Sequence, residues 1–159
     1  MLLHSMQILE GQEKPYCDAC SSPCNETCYE DTELEKAFDM MAEADALVLG
    51  SPVYFGTVSA QLKAIFDKSR AYRKRKAFAG KVGAAVSVGA SRFGGQETTV
   101  RALHDIMLVH GMSLVSDSSI TETIGHHGVC AQKPARDDAE AVKSARVIGI
   151  RLVEECRKS

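Results

Sequence analysis

Ala46-Leu-Val-Leu-Gly-Ser-Pro52, continuing as Val53-Tyr-Phe-Gly-Thr-Val-Ser-Ala-Gln-Leu-Lys63, is the stretch that decides the fold. Residues 46–49 form an unbroken apolar run that stops at Gly50-Ser-Pro52. A short apolar run bounded by turn residues reads as a parallel strand buried on both faces. Upstream, Thr32-Glu-Leu-Glu35 has the form of a capping box. Leu34, Ala37, Phe38, Met41 and Ala42 then recur at helical spacing, which predicts a helix to about Glu43. Residues 5–10 read as a short strand.

Downstream the alternation repeats. Val58, Leu62, Ile65 and Phe66 mark a second helix, and Lys81 to Val88 a second buried strand. Val100, Leu103, Ile106 and Met107 mark a third helix, with Gly111 as its terminating glycine. Met112 to Val115 is the next strand. A long loop holding Gly125-His-His-Gly128 follows. Asp137 or Asp138 caps a last helix whose inward stripe reads as Val142, Ala145, Gly149, Leu152, Val153 and Cys156. Strands alternating with helices give an α/β domain over residues 1–159, with a parallel sheet covered on both faces. Ligands of such sheets bind beyond the carboxyl ends of the strands. The loops 51–57 and 89–96 lie there, both with glycine and aromatics.

Cys17, Cys20, Cys24 and Cys28 fall within twelve residues. Thiolates are soft ligands that suit zinc or iron–sulfur clusters. One compact run points to a cluster, such as 4Fe–4S, more than to a zinc ribbon with its separated ligand pairs. A cluster is preferred to bare thiols, and bare thiols to zinc. Disulfides rank last, because no secretory signal is visible and the expected compartment is the reducing cytoplasm. Cys156 reads as a small buried hydrophobe; Cys130 has no assigned role. The 159 residues carry a net charge of −2, with 45% hydrophobic and 25% charged residues. Nothing there suggests a nucleic-acid partner, and no apolar run approaches membrane-spanning length.

Ser51 to Lys63 resembles the signature of the NADPH-dependent FMN reductase family of flavodoxin-like proteins. Phe93-Gly-Gly-Gln-Glu-Thr-Thr99, with Leu103-His and His110-Gly-Met112, is similar to the later part of that family. With the cysteine run, the chain resembles the iron–sulfur flavoprotein branch. The resemblance implies a flavodoxin-like three-layer sandwich, FMN as cofactor and NAD(P)H as co-substrate. It implies that Pro52, Val53, Tyr54, Phe55 and Gly56 bind the isoalloxazine, and that Ser91, Arg92, Phe93, Gly94 and Gly95 close over it. It also implies a homo-oligomer. A ring has aromatic faces to meet at Tyr54 and Phe55, and glycine permits close backbone approach. The plain reading of those aromatics is that they cap the sheet.

Two departures stand out. The family opens with a central strand, a phosphate-cradling loop and a helix, a piece of about 30 residues. Here Met1 falls where the second strand of the family begins, so the fold is expected to be N-terminally shortened. A truncated or mis-started coding sequence is the preferred explanation. The alternatives are direct pairing of an N-terminal strand with residues 46–49, or a partner chain. A chain of this length is expected to hold FMN weakly. The gaps after Cys20 and Cys24 also differ from the branch, which has two residues in the first and more in the last.

The basic run Arg70, Arg73, Lys74, Arg75 and Lys76 reads as a solvated helix end. The alternative is attraction of a nicotinamide phosphate or an acidic redox partner. The loop with His126 and His127 approaches the flavin or lies in solvent, and neither is given a proton-transfer role. His104 and His110 read as structural. The expected function is electron transfer from NAD(P)H or a reduced donor protein through flavin to a quinone, free flavin or other small acceptor. The alternatives are a ferredoxin-linked carrier without turnover, or a flavin-free protein whose four clustered cysteines hold a structural metal.

Overall fold

The apolar run at 46–49 forms a strand, and the computed structural model, which describes residues 1–118 and 125–158, carries it through to Pro52. The elements are α1 (Ser5–Ile8), α2 (Glu33–Glu43), β1 (Ala46–Pro52), α3 (Ala60–Lys68), α4 (Arg70–Lys74), β2 (Val82–Gly89), α5 (Gln96–Val109), β3 (Ser113–Leu114), β4 (Val129–Gln132) and α6 (Ala139–Cys156). β1 and β2 run parallel, in register from Ala46 opposite Val82 to Pro52 opposite Val88. On the other side of β2, β3 pairs with Val82 and Gly83, and β4 with Val86 to Gly89. β3 and β4 therefore act as two halves of one interrupted strand. The fold is α/β and flavodoxin-like, with a parallel sheet between two helical layers.

One layer packs α2, α3 and α5 on the sheet, with Leu34, Phe38, Ile65, Leu103 and Met107 buried against Leu49 and Ala85. Each such side chain contributes about 1.5–3 kcal/mol relative to exposure. Gly83 lets this layer close in: a Cβ there would stand 2.7 Å from the Met107 sulfur. The other layer is α6, which covers Val82, Ala84, Val129 and Ala131.

Several expectations are corrected. Residues 5–8 are helical, not a strand. Ile8 docks in the α2–α3 core, so tertiary packing overrides the weak alternation. No N-terminal strand pairs with β1, whose outer edge carries no partner among the described residues. Val129–Gln132, read as loop, is a strand; its four residues are too short to show a period. The buried residues of α6 are Ala141, Val147, Ile148 and Leu152, with Cys156 packed against the same core, while Val142 and Val153 are exposed. The helix carries apolar residues on two faces, and spacing alone did not choose between them. The expected cover on both faces is also partial: Val48, in register with Ala84 on the α6 side, is 54% exposed. The loop expected after Val115 runs in part through residues 119–124, outside the described residues.

Candidate active site and cysteine segment

Ser51, next to the last residue of β1, has a buried hydroxyl that fixes the following loop. Its Oγ accepts from the Ser59 amide at 2.9 Å and donates to the Pro52 carbonyl at 2.7 Å. Val53 continues the ladder, its amide donating to the Val88 carbonyl at 2.9 Å. Tyr54 and Thr57 then exchange both backbone hydrogen bonds, at 3.0 and 3.2 Å. The two residues between them, Phe55 (φ 50°) and Gly56 (φ 77°), are both left-handed, as a tight hairpin of this kind requires. For a phenylalanine this conformation costs about 1–2 kcal/mol. The ring recovers none of that by packing: Phe55 is 108% exposed, Tyr54 56% and Phe93 95%. The amides of Phe55 and Gly56 donate to no other described residue.

The second loop is locked by Gln96, a residue the sequence does not single out. Its buried amide donates to the Ser91 carbonyl at 2.6 Å and accepts from the Gly94 amide at 2.8 Å. The Gly94 amide is thereby used inside the protein. Gly95 caps α5 at φ 95°, and a Cβ there would stand 2.9 Å from the Gly56 Cα. Thr98 Oγ1 lies 2.7 Å from the Gly56 carbonyl. The loops after β1 and β2 are therefore brought together, through Gly56 on one side and Gly95 and Thr98 on the other. The first amides of α5 have no intrahelical acceptor.

A cleft of about 1010 Å³ opens on the far side of this loop. Arg92, Phe93 and Gly95 line it; Pro52–Gly56, Ser91 and Gly94 do not. Its wall also holds Cys130, whose thiol is pushed up by burial and partly pulled back by the Ser87 hydroxyl at 4.0 Å. Asp117, buried there, accepts from the His126 amide. Glu97, Asp117, Asp137, Asp138 and Glu140 face Arg92 and Lys133 across it. That balance is a poor seat for the phosphates of a dinucleotide. His104 and His127 stack at 6.2 Å, and burial, then His127, holds the His104 imidazole below its ordinary value.

The cysteine segment lies on α3 and α4. Ala19 and Glu26, inside the first and last cysteine pairs, are left-handed at φ 54° and 67°, so the chain curls twice. Tyr29, fully buried, anchors its end on Phe38 (5.5 Å) and Tyr72 (6.5 Å). Two residues of the basic run, which is otherwise exposed as expected, hold the segment in place. Arg70 Nη1 donates to the Ser21 carbonyl at 3.2 Å, and Arg75 pairs with Glu26 at 2.6 Å. Burial raises the Cys28 thiol, the Lys68 ammonium opposes it, and Cys20, Cys24 and Cys17 raise it further. Among the described residues no three ligand side chains stand together as a metal site.

The sequence profile described as NADPH-dependent FMN reductase matches residues 3–126. An iron–sulfur flavoprotein of Methanocaldococcus jannaschii is 41% identical over 149 residues, 92% of this chain and 77% of the relative. An iron–sulfur flavoprotein of Methanosarcina thermophila is 37% identical over 154 residues, 95% of this chain and 73% of the relative. Among solved structures, the flavodoxin, WrbA-like protein from Agrobacterium tumefaciens superposes with a TM-score of 0.66 at 25% identity, covering 78% of this chain and 73% of that one.

Proposed function

We propose a function from one premise: this chain belongs to the NADPH-dependent FMN reductase family. It is a flavin-dependent oxidoreductase. FMN, when bound, supplies hydride and single-electron exchange. The residues of the chain bind and orient. Tyr54, Phe55 and Phe93 offer ring contacts, the amides of Phe55 and Gly56 donate to ring carbonyls, and the start of α5 favours negative charge at the ring. The observation that carries this reading is Phe55, a strained and unpacked aromatic beside two unclaimed amides.

Cys17, Cys20, Cys24 and Cys28 hold an iron–sulfur cluster in this reading, and the cluster passes electrons singly. The donor is a reduced nicotinamide, and the acceptor a quinone, free flavin or another small molecule. The assembly is a homo-oligomer. The poor fit of the cleft to the phosphates of a dinucleotide favours a second reading, in which a reduced protein such as ferredoxin is the donor. Anaerobic spectra of the purified chain, FMN titration of wild type and Phe55→Ala, and steady-state NADH and NADPH oxidation test these together. Loss of FMN affinity in Phe55→Ala is expected, and unchanged affinity would remove the hairpin from the site. Flavin reduction by ferredoxin without NAD(P)H oxidation would select the second reading.

A further inference from the structure

Helix α4 ends in a Schellman motif. The Lys76 amide donates to the Arg73 carbonyl at 3.0 Å, and the Ala77 amide to the Tyr72 carbonyl at 2.9 Å. The residue that closes such a motif is left-handed and usually glycine. Here it is Lys76, at φ 58°. That conformation is costly for any residue with a Cβ, and strain of this kind clusters at sites that bind ligands. Lys76 lines a cleft of about 570 Å³ together with Arg70, Arg73, Lys74 and His110. Four cations stand in that wall and no carboxylate. Among the described residues none of the four has an ion pair. Arg70 and Arg73 are each held by one nitrogen, on the Ser21 and Val109 carbonyls, and their other N–H groups meet no acceptor among the described residues. The wall is unsatisfied at a buried atom too. His110, 7% exposed, meets the Ser69 hydroxyl through Nε2 at 3.0 Å, and its buried Nδ1 has no partner among the described residues. Ala79 and the exposed Val109 add apolar surface.

The cleft lies at the amino end of the sheet. Ala79 precedes β2, whereas the loop that meets Gly56 leaves β2 after Gly89. The eight residues of β2 span about 26 Å at about 3.3 Å each. A concave site of this volume suits a small ligand, and guanidinium forks match phosphate oxygens in pairs. We propose that this cleft is a second binding site, separate from the flavin loops, for a small phosphorylated ligand of the nucleoside diphosphate kind. Its anionic groups sit on Arg70, Arg73, Lys74 and Lys76, and its organic part on Val109 and Ala79.

The test uses the full chain in phosphate-free buffer, with ADP, pyrophosphate and adenosine as probes. Affinity is read by calorimetry and location by methyl NMR. ADP should bind once per chain, weaken as salt rises, and shift Ala79 and Val109 while Val53 and Ala90 at the flavin loops stay still. Pyrophosphate should bind less tightly than ADP, and adenosine at least about tenfold less. Lys76→Gly should weaken ADP about tenfold while the melting temperature holds or rises, because glycine relieves the strain. Lys74→Gln should weaken ADP in the same direction, and Lys76→Arg should bind as wild type does. Phe55→Ala should also bind ADP as wild type does, so failure of the flavin reading leaves this test standing. Lys76→Gly that loses affinity and stability together would make Lys76 structural and overturn the proposal. No binding at millimolar ADP, adenosine as tight as ADP, or shifts at Val53 and Ala90 instead would also overturn it. So would a glutamate-rich peptide that binds the cleft and that ADP does not displace, which would make it a docking surface for an acidic protein.

Discussion

Phe55 holds a left-handed backbone that a glycine would adopt freely, and its ring touches solvent alone. Phe55→Gly should therefore leave stability unchanged or raise it by up to about 1 kcal/mol. The same change should weaken FMN binding, so the denaturation midpoint and the flavin titration move in opposite directions. A variant that loses both would mean that Phe55 is structural. At Gly95 both should fall together. A Cβ meets the Gly56 backbone and φ is 95°, so Gly95→Ala is expected to lose about 1–2 kcal/mol and to part the two loops. Differential scanning fluorimetry with and without FMN reads both effects. The position of Tyr54, Phe55 and Gly56 in the loop after β1 was legible, because the turn residues that stop the strand are a local signal; a ligand for them came only from the resemblance. Gln96 was not, because it reads as an ordinary first residue of a helix. Its role as the clasp of the loop exists only once Ser91 and Gly94 fold back onto it.

At the scale of elements, Asp138 secures α6. Its carboxylate accepts from the Gln132 and Ala141 amides, and those bonds hold it below its ordinary 3.8. The stabilisation is present above that value and lost as pH falls through the depressed folded one. Asp138→Ala should lower the melting temperature at neutral pH and speed hydrogen exchange in the first turn of α6; exchange unchanged there would deny the cap. The cap and the ends of α2 and α5 could be read in advance, since caps and terminal glycines are local chemistry. The capping box was half right: Glu35 accepts from the Asp31 amide at 2.7 Å, while Thr32 turns its hydroxyl to the Tyr29 carbonyl. β4 and the helical N-terminus were not legible, because each depends on a distant surface, the end of β2 and the α2–α3 groove. The basic run is exposed from Arg73 to Lys76, as read. Its pairing was not legible, since Glu26 lies across from Arg75 on the cysteine segment. Arg75→Ala should cost little global stability, about 0–1 kcal/mol for a pair this exposed. It should speed proteolysis within residues 17–28; an unchanged cleavage rate would show that Tyr29 and Arg70 suffice.

Across the whole molecule, burial leaves His104 and His110 with imidazoles held below the ordinary 6.5. The unfolded chain takes up those protons first as the medium turns acid. Their contribution is therefore complete above 6.5 and lost progressively below it. Urea midpoints should fall from about pH 7.5 to about pH 5.5, and a His110→Gln variant should show a shallower fall. An identical slope would place the titration elsewhere. The parallel sheet was legible from the alternation of runs, whereas the open side of β1 at Val48 was not, since exposure of a strand face depends on what packs there. One helix has a further consequence. The hairpin of Tyr54 is tied to the start of α3 through Ser59, and the N-terminal segment to its end through Lys68 and Gln12. The nine residues of α3 are about 13.5 Å long at 1.5 Å each. A helix of fixed length keeps what is tied to its two ends at a set distance, so α3 acts as a ruler between the strand-end loop and the N-terminal segment. Lengthening it by one turn would part them by about 5.4 Å.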